Sequence, residues 1–388
     1  MVGRVPAQAR PAAHIALLIA NLGGGGAQRK MVSLANAFVA RGHRVDLLTA
    51  EDGGVLHDRV DPRVQIRSFE NFRTRLPGIA GTKRRRMLAA VAPLARYLRE
   101  EKPRVLMSTS DSVNVAAVRA HARAGSDARL VLRIDNQIAR SPDVAGSRSQ
   151  RRRERRVRRY FPCADFVVAI SHGVGEDVLR HGGCRPEQLR VLHNPSVDPG
   201  LAKRALEPPG HPWLEGPGPP VVLGVGRLVP QKDFVTLLDA FAKVRAETAA
   251  RLVILGEGRE YERLRAHAEA LGIARDVSLA GFHPNPVAAM ARAGVFVLSS
   301  AWEGFGNVVV EALATGCPVV STNCPSGPSE ILEDGRFGQL VPVGDADGLA
   351  QGILTCLRDP GDREARRARA QEFSVDVVAE RYLDVLLD

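Results

Sequence analysis

Short apolar runs alternate with helical patterns along nearly the whole chain. Between the first two runs, "AQRKMVSLANAFVARG" carries its apolar residues at helical spacing, and its final glycine is positioned to end that helix. Strands that alternate with helices indicate parallel sheets covered on both faces, so the pattern predicts an α/β fold. The runs predicted as strands are "HIALLIANL", "RVDLLTA", "RVLMSTS", "LVLRID", "FVVAIS", "LRVLHNP", "PVVLGVGRL", "ARLVILGEG", "VSLAGF", "GVFVLSS", "CPVVST" and "GQLVP".

Two such series follow one another, which implies two doubly wound domains. The stretch 194–220 between them is dense in Pro and Gly and has no apolar period, so it is predicted to be the linker. We therefore expect an N-terminal domain at 1–198 and a C-terminal domain at 199–372. Residues 373–388 carry a helical apolar stripe and predict a terminal helix that can pack back on the first domain. Because ligands bind at the carboxyl ends of strands in such sheets, the expected site is the cleft between the domains.

Charge is divided unevenly between these two domains. The chain of 388 residues has a formal net charge of +11, but residues 1–198 carry +17 and residues 199–388 carry −6. We therefore expect the first half to face an anion, such as nucleic acid, lipid phosphate or a membrane surface. No apolar run reaches the ~20 residues of a spanning helix, and the five cysteines lack metal-site spacing. These features predict a cytoplasmic protein with free thiols and with neither a span nor a signal peptide.

A glycine turn follows the first predicted strand. In "NLGGGGAQR", Gly24, Gly25 and Gly26 leave the backbone free to approach a ligand, and the helix that follows favours an anion at its N-terminus. The dinucleotide fingerprint GxGxxG is not met, because Gln28 or Arg29 stands where the third glycine is needed. A tight turn without a ligand is the alternative interpretation.

A second turn, "GVGRLVPQKDF", holds the same place in the C-terminal domain. Arg227 follows the strand beside Gly226, and Lys232 lies near the start of the next helix. Two cations at a glycine turn suit a diphosphate, because a guanidinium can fork onto one phosphate and an ammonium can serve the other. The alternative is that both are ordinary surface cations.

The stretch "VFVLSSAWEGFGNVVVEAL" predicts a strand, a glycine-rich turn and a helix that starts near Gly306. Backbone N–H groups at this turn, together with the helix dipole, suit an anionic group. Inside the helix, Glu311 can accept two hydrogen bonds from a ribose diol. Before the turn, Glu303 can reach sugar hydroxyl groups at the other end of the same ligand. A nucleoside diphosphate sugar fits this span, and a capped surface helix with two ordinary glutamates is the alternative.

Five segments in this order, "GVGRLVPQKDF", "LGEGREYERL", "LAGF", "SSAWEGFGNVVVEALATGCPVVST" and "GPSEIL", resemble the family 4 glycosyltransferases. The resemblance implies the GT-B fold, in which two Rossmann-like doubly wound α/β domains face a central cleft. It also implies a nucleotide-sugar donor, retention of anomeric configuration, and no metal or other cofactor in the active site. The ending "CPSGPSEIL" is similar to a subgroup that builds bacterial surface polysaccharides and lipid-linked oligosaccharides, usually from UDP-sugars.

The same resemblance assigns roles by position. Glu303, Arg227 and Lys232 are the predicted catalytic residues, because they would hold the donor sugar and the diphosphate on which negative charge develops. Glu311 would bind the ribose, and the backbone near Gly281 and Phe282 would hold the base. The remaining predicted donor-binding positions, which would act mainly through the backbone, are Gly24, Gly25, Gly26, Gly226, Gly281, Phe282, Phe305, Gly306, Asn307 and Val308.

One position departs from the family pattern. Many relatives end the strand of "LVLRIDNQ" with a motif such as R-x-H-N, whose His lies beside the donor sugar, whereas this chain has Asp135 there. A carboxylate cannot replace a neutral imidazole, although it can accept hydrogen bonds from a sugar. We therefore count Asp135 among the candidate acceptor residues.

The resemblance and the charged residues together predict a retaining hexosyltransferase. It would move a hexose or an N-acetylhexosamine from a UDP-sugar to a lipid-linked or polysaccharide acceptor and form an α-glycosidic bond. One alternative is another two-domain α/β enzyme, such as a UDP-sugar epimerase or a nicotinamide-dependent oxidoreductase, although the broken fingerprint counts against it. Another is a non-catalytic nucleotide-sugar-binding protein, although Glu303, Glu311, Arg227 and Lys232 are all present.

Two arginine clusters stand out in the basic half, "RTRLPGIAGTKRRR" (73–86) and "SRSQRRRERRVRRYF" (147–161). Such runs are often only solvated faces, and no nucleic-acid-binding motif accompanies them, so a nucleic-acid partner is not expected. Near an anionic leaflet each Lys or Arg contributes about 1 kcal/mol, which favours a peripheral position on the cytoplasmic face of the inner membrane and a polyprenyl-diphosphate-linked acceptor. The candidate acceptor or membrane residues are Asp135, Arg73, Arg75, Arg84, Arg85, Arg152 and Arg156.

Overall fold

The structure is a computed structural model and describes residues 10–69, 87–138 and 147–388. Within these ranges the chain forms two parallel β-sheets, and the first has the strand order β3-β2-β1-β4-β5-β6-β7. Its strands are β1 (His14–Ile19), β2 (Arg44–Thr49), β3 (Gln65–Ser68), β4 (Val105–Thr109), β5 (Arg129–Ile134), β6 (Phe166–Ala169) and β7 (Leu189–Val191). The helices that accompany this sheet are α1 (Gly26–Ala40), α2 (Val91–Glu101), α3 (Asp111–Ala124), α4 (Arg148–Tyr160) and α5 (His172–Arg180).

The second sheet has the strand order β10-β9-β8-β11-β12-β13 among the described residues. Its strands are β8 (Val221–Val225), β9 (Arg251–Leu255), β10 (Val277–Leu279), β11 (Val295–Leu298), β12 (Val319–Thr322) and β13 (Gln339–Val341). The remaining helices are α6 (Leu201–Leu206), α7 (Phe234–Glu247), α8 (Tyr261–Ala270), α9 (Pro286–Met290), α10 (Asn307–Thr315), α11 (Pro328–Leu332), α12 (Ala346–Arg358), α13 (Arg363–Gln371) and α14 (Val375–Leu387). The predicted α/β fold with two parallel sheets is confirmed.

Strand β1 shows why the first sheet is apolar on both faces. Its alternate residues point to opposite sides of the sheet. Ile15 and Leu17 lie in the core layer that contains α1, whereas Ala16 and Leu18 lie in the layer that contains α2 and α3. All four side chains are fully buried. A strand that is covered on both sides has no polar face, and this is why the sequence shows a continuous apolar run there.

Strand β3 is absent from the predicted strands. Its four residues read QIRS and are exposed or half-buried, and the strand lies at the edge of the first sheet. It pairs in parallel with β2, with Asp46 opposite Gln65. Because an edge strand is only partly covered, it needs no apolar run, and no such run marks it in the sequence.

The predicted linker, residues 194–220, contains helix α6. Its first residues run beside residues 373–375, where the chain returns to the first sheet. The backbone N–H groups of Ser196 and Val197 both donate to the carbonyl oxygen of Phe373, at 2.9 and 3.1 Å. The N–H of Val375 donates in turn to the carbonyl oxygen of Val197 at 2.9 Å. Helix α14 then packs against α1 and joins the core of the first sheet.

Candidate active site

The carboxyl ends of the two sheets meet at the turn that follows β11. The hydroxyl of Ser171, which follows β6, donates a hydrogen bond to the carbonyl oxygen of Gly304 at 2.8 Å. Gly304 also lies so close to the carbonyl oxygen of Asp135 that a Cβ atom at position 304 would overlap it. A glycine is therefore needed where the second sheet's loop touches the loops of the first, and the residues around this turn lie at the cleft.

The glycine-rich turn leads directly into α10, as predicted. Gly306 adopts a φ of +95° and immediately precedes Asn307, the first residue of the helix. Such a φ suits glycine. Phe305 is buried, and its carbonyl packs so tightly on Gly327 that no Cβ atom fits at that position either. The first turn of α10 carries no acidic side chain, so its N–H groups and dipole are suited to an anion.

Lys232 and Glu303 form an ion pair at this turn. Lys232 Nζ lies 2.5 Å from Glu303 Oε1, and the hydroxyl of Ser300 donates to the same oxygen at 2.8 Å. Glu303 is 9% exposed. Its other oxygen, Oε2, accepts no hydrogen bond from the residues that the structure describes, so it is open to a hydroxyl group of a ligand. The pair brings together Lys232, which is predicted to bind the diphosphate, and Glu303, which is predicted to bind the sugar.

Gly226 makes room for Lys232. A Cβ atom on Gly226 would lie 2.9 Å from Lys232 Cε and 3.1 Å from Cδ, so the lysine stem passes directly over the glycine. Arg227, the next residue, is exposed and has no ion-pair partner within the described ranges. Its guanidinium is therefore available to an anion at the same turn.

The predicted base-binding positions continue along the carboxyl edge of the second sheet. The N–H of Gly256 donates to the carbonyl oxygen of Gly281 at 2.7 Å. Gly256 also packs against the carbonyl oxygen of Gly226 without room for a Cβ atom. Phe282 follows Gly281 and is 65% exposed, which offers an apolar surface to a flat base. One glycine thus links the predicted base position to the predicted diphosphate turn.

The glycines of the first domain precede α1. Gly25 is the N-cap residue, α1 begins at Gly26, and Gly24 has a φ of +88°. None of these three glycines is buried. Val308, in the first turn of α10, is half-buried against the core. The backbone of Gly24, Gly25 and Gly26 is accessible to a ligand, as their predicted role in donor binding requires.

Glu311 interacts electrostatically with Lys30, a residue of α1 that the sequence prediction did not include. Burial raises the pKa of Glu311, and the charges of Lys30 and Arg204 oppose that rise. Burial likewise lowers the pKa of Lys30, and Glu311 opposes that change. Lys30 Nζ donates to the carbonyl oxygen of Pro195 at 3.2 Å, whereas the Glu311 carboxylate accepts no hydrogen bond in the described part of the chain. An unpaired carboxylate is suited to the predicted ribose diol. The sequence feature that could have identified Lys30 is its place one helical turn after the first glycine loop.

Asn307 connects the glycine-rich turn before α10 to the segment that joins the two sheets. Its Oδ1 atom accepts a hydrogen bond from the Ser196 hydroxyl at 2.8 Å and another from Asn194 Nδ2 at 3.0 Å. The sequence predicts only a backbone contact for Asn307, so the role of its side chain was missed. The start of α10 is therefore fixed by two residues of the first half of the chain.

Glu330, in the "GPSEIL" segment, makes a second connection of this kind. Its carboxylate accepts hydrogen bonds from His193 Nε2 at 3.1 Å and from the backbone N–H of His172 at 2.9 Å. The His193 ring stacks on Phe305 with 5.1 Å between ring centroids. Burial alone would raise the pKa of Glu330, but these hydrogen bonds hold it below its ordinary value. Neither His193 nor Glu330 was assigned a role from the sequence.

Asp135 is held by Arg133. Arg133 Nη1 donates to Asp135 Oδ1, and the Thr109 hydroxyl donates to Oδ2 at 2.5 Å. Arg133 is fully buried and also donates to the Tyr382 hydroxyl at 3.0 Å and to Asn194 Oδ1. Both carboxylate oxygens of Asp135 thus have protein partners, which leaves fewer lone pairs for an acceptor than a free carboxylate offers. Its backbone still lies at the cleft.

The candidate membrane residues are only partly described. Arg152 is exposed on α4, and Arg156 is half-buried on the same helix. Among the described helices, none is both long enough and apolar enough to cross a bilayer. The predicted residues that lie outside the described ranges are Arg73, Arg75, Arg84 and Arg85.

The charges that this site offers to an anion come from side chains and helix α10. In the described ranges, no group of three His, Cys, Asp or Glu side chains could hold a metal ion.

The five cysteines are free thiols, of which Cys163 is exposed and the others are buried. Burial raises the pKa of the Cys317 thiol to about 12, so this group is protonated at neutral pH.

Comparison with known proteins relates both halves of the chain to one family. Residues 24–198 match the family model Glycosyltransferase Family 4, and residues 212–373 match Glycosyl transferases group 1. A relative from Campylobacter jejuni, N-acetylgalactosamine-N,N'-diacetylbacillosaminyl-diphospho-undecaprenol 4-alpha-N-acetylgalactosaminyltransferase, is 34% identical over 231 residues. This match covers 58% of the present chain and 61% of the relative, which is less than two thirds of the relative's length.

Two further matches extend over nearly the whole chain. The GalNAc-alpha-(1->4)-GalNAc-alpha-(1->3)-diNAcBac-PP-undecaprenol alpha-1,4-N-acetyl-D-galactosaminyltransferase of Campylobacter jejuni is 26% identical and covers 96% of this chain and 98% of its own. The crystal structure of Anabaena HepE in complex with UDP-glucose has a TM-score of 0.76 at 22% identity and covers 96% of this chain and 99% of its own. With both halves matched and two parallel sheets meeting at one cleft, the chain belongs to the family 4 glycosyltransferases and has the GT-B fold.

Proposed function

We propose that the protein is a retaining hexosyltransferase, which moves a hexose or an N-acetylhexosamine from a UDP-sugar to a lipid-linked or polysaccharide acceptor. The product would be an α-glycoside. The observation that carries the proposal is the ion pair of Lys232 with Glu303 before the N-terminus of α10, with Arg227 exposed on the turn that leads to Lys232. Two cations and a helix N-terminus suit a diphosphate, and the carboxylate beside them suits the hydroxyl groups of the attached sugar.

The names of the relatives support the donor and acceptor classes. HepE was crystallised with UDP-glucose, which favours a UDP-sugar as the donor. The two Campylobacter relatives are named for undecaprenol-linked diphosphate substrates, which favours a lipid-linked acceptor. We propose the same classes for this chain, with the donor sugar either a hexose or an N-acetylhexosamine.

The proposed chemistry is electrostatic. When UDP leaves the sugar, negative charge grows on the β-phosphate, and Lys232, Arg227 and the N–H groups at the start of α10 would stabilise it. Removing one such positioned donor typically costs about 3–4 kcal/mol of transition-state stabilisation. We propose that these groups act without a metal ion, because they already supply positive charge at the leaving group.

Retention of configuration is proposed to arise from attack on the same face that UDP leaves. The carboxylate of Glu303 is paired with Lys232, and that of Asp135 is paired with Arg133. Both pairings reduce the nucleophilicity of the carboxylates, which disfavours a covalent intermediate. In the same-face route the acceptor hydroxyl attacks beside the departing phosphate, which accepts its proton.

We also propose a peripheral position on the cytoplasmic face of the inner membrane, where a lipid-linked acceptor would be presented. The exposed arginines of α4 support this proposal, because each cation near an anionic leaflet adds about 1 kcal/mol to binding. Nucleic acid is not proposed as a partner.

Calorimetric titration with UDP, GDP, ADP and NAD tests the donor class. We expect wild type to bind UDP selectively and Glu311→Ala to weaken UDP binding at least about tenfold, through the loss of hydrogen bonds to a charged group. Glu269→Ala, at an exposed position of α8, is the matched control and should leave the affinity unchanged. Tight NAD binding, or UDP binding that is indifferent to Glu311, would contradict the proposal.

Turnover of UDP-sugars distinguishes transfer from the alternatives. We expect the protein to move the sugar of at least one UDP-hexose or UDP-N-acetylhexosamine to an undecaprenyl-diphosphate-linked glycan. Conversion of the UDP-sugar into its epimer without an acceptor would indicate an epimerase. Binding of UDP-sugars with neither reaction would indicate a non-catalytic protein.

A further inference from the structure

One arginine of α4 serves the fold. Arg153 is buried, and its Nε lies 2.5 Å from Oδ2 of Asp111, the first residue of α3. Its Nη1 donates to the carbonyl oxygen of Ile138 at 2.5 Å. These contacts satisfy the charge of Arg153 and hold α4 against α3, so this residue needs no ligand.

Four other arginines surround a cavity of about 240 Å³ between α3 and α4. Arg119 comes from α3, and Arg155, Arg156 and Arg159 come from α4. Within the described ranges, none of these four has a carboxylate at ion-pair distance. Guanidinium groups that share one cavity repel one another, and a bound anion would reduce that repulsion.

Arg156 gives the clearest indication of a ligand. Its Nε atom is buried and has no hydrogen-bond acceptor among the residues that the structure describes. Buried polar groups in folded proteins are nearly always hydrogen-bonded, and an exception calls for an explanation. An anion in the cavity would supply the acceptor.

Tyr160 orients two of the four guanidinium groups. Arg119 Nη2 donates to the Tyr160 hydroxyl at 2.6 Å, and its Cζ lies 5.2 Å from the centroid of the ring. Arg159 Cζ lies 5.6 Å from the same centroid. Guanidinium groups that are already oriented lose less entropy when they bind. Leu88 and Val115 also line the cavity, so it combines phosphate-binding groups with a surface suited to hydrocarbon.

A second cavity of about 450 Å³ also borders Arg155 and Arg156, and extends to Arg152 and Ser149 near the start of α4. We call the two cavities together the arginine groove. Helix α3 begins directly after β4, and α4 follows β5, so both helices begin near the carboxyl edge of the first sheet. This is the edge that meets the turn at Gly304, and the groove therefore runs outward from the side of the cleft.

We propose that the arginine groove binds the diphosphate of a lipid-linked acceptor, with the first part of the hydrocarbon chain against the apolar lining. The inference rests on the proposed function, because it names the acceptor class of the same enzyme. Guanidinium forks match phosphate oxygens. A bilayer surface would require only exposed cations, whereas this groove also holds a buried Arg156 Nε that has no acceptor among the described residues.

Calorimetric titration with farnesyl diphosphate tests the inference. We expect Arg155→Gln and Arg156→Gln each to weaken binding more than about tenfold, because each removes charged hydrogen-bond donors to phosphate. Arg158→Gln is the matched control, since Arg158 is an exposed arginine of the same helix that does not line the groove. It should change the affinity less than about twofold. Farnesol should bind far more weakly than farnesyl diphosphate.

UDP titration of every variant separates failure of the inference from failure of the proposed function. Unchanged UDP affinity would show that each variant is folded and that the donor site is intact. If wild type binds UDP but not farnesyl diphosphate, or if Arg155→Gln and Arg158→Gln weaken the lipid equally, the inference is wrong and the proposed function stands. If Arg155→Gln and Arg156→Gln leave farnesyl diphosphate binding unchanged and weaken binding only to anionic vesicles, the arginines serve the membrane surface and the inference is wrong. Absence of UDP binding in wild type would overturn the proposed function instead.

Discussion

Lys232 Nζ and Glu303 Oε1 lie 2.5 Å apart, although the two residues follow different strands of the second sheet. The pairing neutralises both charges beside the cleft and fixes the two side chains relative to each other. A donor diphosphate would share the ammonium with Glu303, which would in turn offer its second oxygen to the sugar. In the proposed reaction, this one ion pair would position the groups for both sides of the bond that breaks.

Lys232→Ala should lower kcat about 100-fold or more, because a positioned donor at a developing charge is typically worth that much. UDP affinity should fall much less, since Arg227 and α10 remain. Kinetics of sugar transfer and UDP calorimetry measure the two effects. Lys243→Ala is the control, at a half-exposed lysine of α7 that pairs with Asp347. Equal losses in kcat and UDP affinity would show that Lys232 serves only in binding.

Gly304→Ala should damage the contact between the two halves, because the added methyl group would overlap the carbonyl oxygen of Asp135. Overpacking of this kind costs about 1–3 kcal/mol, so the free energy of unfolding in urea should fall by that amount and transfer activity should fall with it. Gly216→Ala is the matched control, since a Cβ atom there meets no neighbour within 4 Å. Identical behaviour of the two variants would mean that Gly304 and Asp135 are not in contact in solution.

Arg133→Met should lower the free energy of unfolding by about 3–5 kcal/mol, because it leaves the Asp135 carboxylate without its buried partner. Asp135→Asn should cost less, since an amide oxygen can still accept from Arg133. Arg133→Lys should not restore full stability, because an ammonium cannot reach Tyr382 and Asn194 with the same fork. Urea denaturation of the three variants measures these differences. A larger loss for Asp135→Asn than for Arg133→Met would contradict this account.

Stability should depend on pH through Glu330. Burial alone would raise its pKa, but hydrogen bonds from His193 and from the His172 N–H hold the pKa below the ordinary value of 4.5. A depressed carboxyl pKa adds stability that is present above pH 4.5 and is lost as pH falls through the lower folded-state value. Glu330→Gln should therefore lower the free energy of unfolding at pH 7 by about 1.5–3 kcal/mol.

The gap between Glu330→Gln and wild type should then narrow progressively below pH 4.5, because the Glu330 carboxylate is protonated first in the unfolded chain and, at lower pH, in the folded protein. Thermal unfolding at a series of pH values measures it. Glu269→Gln, at an exposed position, should show no such trend. A gap that stays constant down to pH 3 would rule out the proposed linkage.

The strands inside the two sheets were predictable because they are covered on both faces and therefore appear as apolar runs. Strand β3 was not predicted, because its position at the edge of the sheet allows the polar sequence QIRS. The glycine-rich turn before α10 was predictable for a similar local reason, since its glycines, Glu303 and α10 lie within one short stretch. The pairing of Lys232 with Glu303 joins two such stretches at the carboxyl edge of one sheet.

The residues that sequence reasoning missed make contacts between distant positions. Lys30 reaches Pro195 across 165 positions, Asn194 reaches Asn307 across 113, and His193 reaches Glu330 across 137. Periodicity and spacing describe neighbours along the chain and contain no information about such pairs. The same limit explains why Arg133 was not expected to engage the carboxylate of Asp135 together with Asn194.

Val197 and Ser374 lie side by side where the chain leaves the first sheet and where it comes back. The second sheet and its helices are therefore an insertion into the first body, with adjoining ends. The ends of that insertion therefore lie close together as well. A short peptide joining residues 199 and 372 would close the inserted unit, which could be excised or circularly permuted with little disturbance. Removal of α14, by contrast, would strip a layer from the first body and expose the apolar face of α1.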